Sequence, residues 1–386
     1  MDIGYFLKLM TEKNASDMFL TTGAPVYIKI EGKLYPLGNT GLPPGMVKKI
    51  AYSLMDEGQA PQFERELELN MAIALPDAGR FRVNVFKQRG EVGMVIRAIR
   101  SKIPSIEELN LPQVLKDVIM TPRGLVLVVG STGSGKSTSL ASMIDHRNST
   151  TTGHILTIED PIEYLHKHKM SIVNQREVGL DTHAFHNALK NAMREAPDVI
   201  LIGEIRDRET MSAAIAYAQS GHLCLATLHG NNSYHALNRI LSFYPVEVRP
   251  TMLGDLASAL KAIVSQRLVR SPTGERLPAA EVLLNTKLVA EMIEQGNFSG
   301  VREAMEKSMA EGSQTFEHDL ARLVLEGRID RKEGLAYADS PTNLMWRLQN
   351  DFSQAAKAAR DRKDAGAHDD EDQPSFTEIV LDVKPH

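Results

Sequence analysis

Residues Gly130-Ser131-Thr132-Gly133-Ser134-Gly135-Lys136-Ser137 match the spacing GxxxxGK[ST] at every fixed position. Glycines at those places allow a loop whose backbone N–H groups face an anion. A helix beginning at the loop's end adds its positive N-terminus. The lysine can carry charge to the β and γ phosphates of ATP, and the serine hydroxyl can ligate magnesium. The nucleotide-binding set is therefore Gly130, Ser131, Thr132, Gly133, Ser134, Gly135, Lys136, Ser137 and the adjoining Thr138. A chance Gly/Ser loop would lack the flanking elements that this one has: the apolar run Leu125 to Val129 before it and a helical pattern from Ser137 to His146 after it.

Hydrolysis also needs acids that place a metal and a water. Two apolar runs end in them. Ile155 to Ile158 leads into Glu159, Asp160 and Glu163, and Val199 to Ile202 leads into Gly203 and Glu204. Carboxylates just beyond such strands stand at the carboxyl edge of a sheet, where open α/β folds bind ligands. Ser137 is a candidate magnesium ligand, and the acids past either run could place the metal and the water. His222 and His229 flank LCLATL and are expected at the two ends of one strand, with His229 toward the nucleotide and His222 steadying a loop. No acid or cysteine set nearby completes a zinc tetrahedron.

The elements that must carry these residues alternate. Helical patterns at Ser137–His146, His183–Arg194 and Arg208–Ala218 interleave with strand patterns at Gly153–Glu159, Val199–Ile202 and His222–Thr227. That rhythm predicts an α/β architecture with a mostly parallel sheet. Helices are expected over Pro250–Val269, Thr286–Ala310, Phe316–Glu326 and Arg331–Ala338, with a hairpin around Pro272–Glu281. Before this region, residues 1–100 form a smaller mixed domain. Its helical stretches are Ile3–Thr11 and Pro44–Met55, followed by a meander of Glu68–Leu75, Gly79–Gln88 and Glu91–Ile99. In the middle strand Phe81, Val83 and Val85 fall on one face, and Arg80, Arg82, Asn84 and Phe86 on the other. Residues 101–112, with Pro104 and Pro112 around a short helical piece at Ile106–Leu109, read as the interdomain linker. Residues 113–350 form the larger domain.

Residues 351–386 carry AAKAARDRKDAG and HDDEDQP and few large apolar side chains, so they read as an acidic, flexible tail. Phe376 to Val383 could dock as a small apolar anchor. The net charge of −5 advertises no nucleic-acid surface. The single cysteine, Cys224, rules out an intrachain disulfide and fits a reducing compartment. The chain opens on no secretory pattern, and its longest apolar run is far below the roughly 18 residues of a membrane span. A cytoplasmic protein is expected, meeting a membrane only through partners.

The phosphate loop, ILTIEDPIEYLHKHK, REAPDVILIGEIRDRET and GHLCLATLHGNNS, in that order, resemble the four boxes of the secretion-type ATPases, and within them the type IV pilus retraction motors. The likeness extends over about residues 1 to 345. It implies a PAS-like N-terminal domain and a RecA-like ATPase domain in a homohexamer, bound to ATP and magnesium. It assigns Glu163 to water activation, Glu204 to the metal-side acid, and His229 to the active-site histidine box. Arg82 and Arg97 look like N-terminal arginines that approach nucleotide across or between domains, with Arg80, Arg194 and Arg206 as weaker choices. One departure stands out: around Gly300 to Met309 the chain reads GVREAMEKSM, where principal retraction motors carry an Ala-Ile-Arg-Asn-Leu-Ile-like motif. With the acidic tail, this resembles the accessory retraction ATPases, whose partners are a principal retraction ATPase and the inner-membrane platform protein. An assembly or type II secretion ATPase, and a nucleotide-gated adaptor that does not hydrolyse, are the other readings. The first is disfavoured by the lack of a CxxC zinc insertion, the second by the presence of Lys136, Glu163 and Glu204.

Overall fold

The computed structural model describes residues 3–76, 78–307 and 310–350. The acidic segment 351–386, with its expected anchor at Phe376 to Val383, lies outside the described residues. The described residues divide into two compact units, one of residues 3–268 and 277–315, the other of residues 269–276 and 316–350.

The first unit begins with helix α1 (Ile3–Glu12), strands β1 (Asp17–Leu20), β2 (Val26–Ile30) and β3 (Lys33–Leu37), helices α2 (Met46–Leu54) and α3 (Gln59–Glu66), then strands β4 (Glu68–Leu75), β5 (Gly79–Gln88) and β6 (Glu91–Ala98). The strands make one antiparallel sheet in the order β3-β2-β1-β6-β5-β4. Period-2 alternation decides its faces. Phe81, Val83 and Val85 join Met18, Leu20, Met94 and Ile96 in a core shared with Leu7, Met10 and Phe63 of the helices. Register sets Arg82 directly opposite Arg97 on the other face. Strand β1 and helix α3 lie where the sequence analysis assigns no element.

Next come α4 (Val114–Met120), β7 (Gly124–Val129), α5 (Lys136–Thr150), β8 (Gly153–Glu159), β9 (Ser171–Glu177), α6 (Phe185–Ala192), β10 (Val199–Ile202), α7 (Arg208–Gln219), β11 (Leu223–Leu228), α8 (Ser233–Ser242), α9 (Arg249–Ala259), β12 (Leu260–Arg270), β13 (Arg276–Leu284), α10 (Lys287–Glu294) and α11 (Phe298–Lys307). Their sheet runs β13-β12-β7-β11-β10-β8-β9. All pairings from β12 to β9 are parallel. Leu125, Leu127, Val129, Ile158, Ile200 and Ile202 enter one core, and Val126, Val128, Ile155, Val199 and Leu201 enter the other. Both faces are covered, which is why β7 is apolar throughout.

Three sequence expectations change. The helix expected over Pro250–Val269 ends at Ala259, and its second half is β12. Pairing with β7 and burial of Ile263 and Val264 override helix propensity there. The helix expected over Thr286–Ala310 breaks between α10 and α11, where Gly296 turns the chain at φ 68°. The short helical piece at Ile106–Leu109 is a turn.

In the second unit, α12 (Phe316–Leu325) and α13 (Arg331–Tyr337) fall close to their expected bounds. Arg270 N–H donates to Glu333 Oε1, and Ser340 N–H to Glu317 Oε1. Among the described residues no helix is long and apolar enough to cross a membrane.

Candidate phosphate-binding site

The loop between β7 and α5 is built around close approaches. A Cβ at Gly130 would stand 2.7 Å from Gln266 O, and one at Gly135 2.7 Å from Gln266 Nε2. Gly133 and Gly135 take φ of 77° and 91°, values that disfavour a side chain. Helix α5 starts at Gly135 with no side-chain cap, so its first N–H groups are left for an anion. The Ser134 hydroxyl is buried with no hydrogen-bond partner. Uncapped amides, a glycine cradle and an orphaned hydroxyl fit a nucleotide's phosphates.

Lys136 Nζ donates to the carbonyl oxygens of Gly130 and Ser131, both at 2.9 Å, which spans it across the loop. Burial lowers its pKa, while Glu204 and then Glu163 act in the opposite direction. The loop lysine and both acids, read from three separate segments, therefore sit within electrostatic reach of one another. Glu204, just past β10, is held on two sides: His229 Nε2 and Arg206 Nε each lie 2.6 Å from its carboxylate oxygens. Arg206 also reaches Asp160 at 3.5 Å. Its pKa is raised, chiefly by the hydrogen bond to Glu204. The two histidines sit at opposite ends of β11, His229 on Glu204 and His222 beside Ser220 and the Tyr217 ring.

The N-terminal arginines lie elsewhere in the chain. Arg97 Nε donates to the buried Asp17 at 2.7 Å, though its side chain stays 67 % exposed. Arg82 and Arg80 act on Glu177. Arg194 is exposed beside Asn191. The arginine bonded to Glu204 within one chain is Arg206, which sequence reasoning had ranked low.

Two further residues escaped the sequence reading. Gln266, buried on β12, donates from Nε2 to Ser134 O at 2.9 Å and accepts from Ser139 Oγ at 2.6 Å, fastening the loop to its own helix. A lone amide inside AIVSQRLV was a signal, but assigning that stretch to a helix hid its place beside β7. Tyr164, also buried, shares its hydroxyl between Thr138 Oγ1 at 2.9 Å and Arg100 Nη1 at 3.0 Å. Arg100 and Tyr164 also pair through their backbones. The residue after the magnesium-type serine is thus tied to the chain that leaves the N-terminal sheet.

The chain is similar to known proteins over most of its length. A family profile described as "Type II/IV secretion system protein" matches residues 6–360. The "Type IV pilus ATPase PilU" of Pseudomonas aeruginosa is 49% identical over 345 residues, covering 89% of this chain and 90% of that protein. The "Type IV pilus retractation ATPase PilT" of the same organism is 39% identical over 344 residues, 89% of this chain and 100% of that one. The crystal structure of the pilus retraction motor PilT with bound ADP aligns with a TM-score of 0.83 at 38% identity, over 89% of this chain and 98% of that chain. The chain, whose phosphate loop faces two acids from neighbouring strand ends, is a P-loop ATPase and belongs to the Type II/IV secretion system protein family.

Proposed function

We propose that this protein is an ATP-hydrolysing motor of type IV pilus retraction and twitching motility, working beside a principal retraction ATPase. The observation that carries the reading is the juxtaposition of Lys136 with Glu163 and Glu204 in a chain 49% identical to PilU over most of both lengths. Identity to PilT is lower, 39%, which favours the accessory assignment.

In the proposed site, residues Gly130 to Thr138 bind the nucleotide's phosphates. Glu163 activates the attacking water. Ser137 and, through water, Glu204 would hold magnesium; two oxygen donors suit an ion that keeps several waters and takes its other ligands from phosphate. Magnesium there would neutralise charge developing on the phosphoryl oxygens. His229 and Arg206 orient the Glu204 carboxylate.

The antiparallel sheet with helices on one face supports a PAS-like N-terminal domain over 1–100, and the parallel sheet supports a RecA-like domain over 113–350 joined by 101–112. The subunits form a homohexamer. Arg82 and Arg97, opposite each other on an outward sheet face, serve nucleotide bound to a neighbouring subunit. Partners are the principal retraction ATPase and the inner-membrane platform protein.

Filament retraction compared in cells lacking this gene, the principal motor, or both tests the assignment. Loss of this gene should weaken retraction under load. Unimpaired retraction at every load would overturn the motor role, and retraction that persists without the principal motor would overturn the accessory one.

A further inference from the structure

Strands β8 and β9 end in register, with Glu159 opposite Glu177. Both side chains turn to one segment of main chain. The Glu177 carboxylate, 2 % exposed, accepts the Ile162 N–H at 3.2 Å. Glu159 accepts from Thr157 Oγ1 at 2.6 Å and from Gln175 Nε2 at 3.2 Å, and the same Gln175 amide donates to the Tyr164 carbonyl at 2.8 Å. The Glu163 carbonyl in turn accepts from Arg100 N–H at 3.3 Å. The main chain around Glu163 is thus held at the Ile162 N–H and at the Glu163 and Tyr164 carbonyls.

Carboxylates are an expensive choice for this task. Each bond to a neutral N–H could be accepted by a glutamine without burying charge. Burial raises the pKa of Glu177, against the Ile162 N–H and then Arg82 and Arg80 of β5.

We propose that Glu177, with Glu159 in register beside it, is a positioning residue that fixes the main chain leading into Glu163. This rests on the reading of Glu163 as the water-activating acid. It places no substrate contact on Glu177 itself.

The test uses purified full-length protein and two readouts, steady-state ATP hydrolysis and hydrogen–deuterium exchange over residues 160–166. Glu177→Ala removes the acceptor of a buried N–H, so exchange in this segment should quicken and kcat should fall by about tenfold or more, with KM for ATP within about twofold. Glu177→Gln keeps an acceptor and should restore both readouts to within about threefold of wild type.

Unchanged exchange in Glu177→Ala overturns the positioning role, as does a Glu177→Gln protein no better than Glu177→Ala. Glu163→Gln, assayed alongside, separates the two layers. If it hydrolyses ATP like wild type, the reading of Glu163 fails, and the exchange data alone decide whether Glu177 holds the segment.

Discussion

Lys136 lies between the carbonyl oxygens of its own loop and two acids, with burial and charge pulling its pKa in opposite directions. Lys136→Ala should cut ATP turnover by about a hundredfold or more, since a phosphate-directed cation is lost where water is scarce. Near-normal phosphate release from the purified variant would contradict the assignment of this loop. Glu163→Gln keeps volume and removes charge, so it should retain nucleotide affinity while turnover stops. Wild-type turnover would remove Glu163 from the chemistry. Glu159 offers a separate test. Burial pushes its pKa to about 7 from an ordinary 4.5, against hydrogen bonds from Thr157 and Gln175. Between those values the folded protein keeps a proton that the unfolded chain releases. The carboxyl's favourable contribution is therefore complete below pH 4.5 and lost as pH rises through 7. Glu159→Gln resembles the protonated form. It should raise stability at pH 8 by about 1–3 kcal/mol and change it little near pH 4.5. Thermal unfolding at both pH values checks this, and an equal shift at the two would contradict it.

At the scale of elements, the site depends on strands that supply little chemistry themselves. Strand β12 lies beside β7 in parallel, with Ser265 opposite Val129, and this brings Gln266 to the phosphate loop. Gln266→Leu would fill similar space but leave the buried Ser139 hydroxyl and the Ser134 carbonyl without this partner. Stability should fall by about 1–3 kcal/mol, and ATP affinity by about tenfold as the loop loosens. Denaturant unfolding and nucleotide titration read the two effects separately. Unchanged affinity would show that the loop holds its shape without β12. The capped helices illustrate the same division of labour. Asp207 caps α7 by accepting from Thr210 N–H, and Asn232 caps α8 by accepting from His235 N–H. These caps fix where the helices begin after Arg206 and His229, the two residues that hold Glu204.

For the whole molecule, the central question is which chain supplies the arginine that faces each nucleotide. Within one chain Arg206 reaches Glu204, whereas Arg97 pairs with Asp17 and Arg82 acts on Glu177. If Arg82 serves a neighbouring subunit, Lys136→Ala and Arg82→Ala proteins are each defective in a different half of the interface. Mixed assemblies should then regain part of the wild-type ATPase rate, through interfaces that pair an intact phosphate loop with an intact arginine. Activity no greater than that of either variant alone, with co-assembly verified, would remove the trans role of Arg82. Mixing Arg206→Ala subunits with Lys136→Ala subunits should give no such recovery, because that arginine acts beside its own chain's Glu204.

The phosphate loop was legible in the sequence because its chemistry is local: a fixed spacing of glycines, a lysine and a serine, between an apolar strand and a helix. The positions of Glu163, Glu204 and His229 beyond the ends of apolar strands were legible for a similar reason. Other features needed the tertiary structure. The segment after Ala259 reads as a helix by itself and becomes a strand because β7 offers it a pairing edge and two apolar layers. Gln266 gains its role only from that pairing. Likewise, no spacing in the sequence places Glu177 against Ile162, or Tyr164 against both Thr138 and Arg100. These contacts join residues that lie far apart along the chain or on neighbouring strands. Sequence periodicity fixes which face a side chain occupies, whereas sheet order and register decide what it meets there.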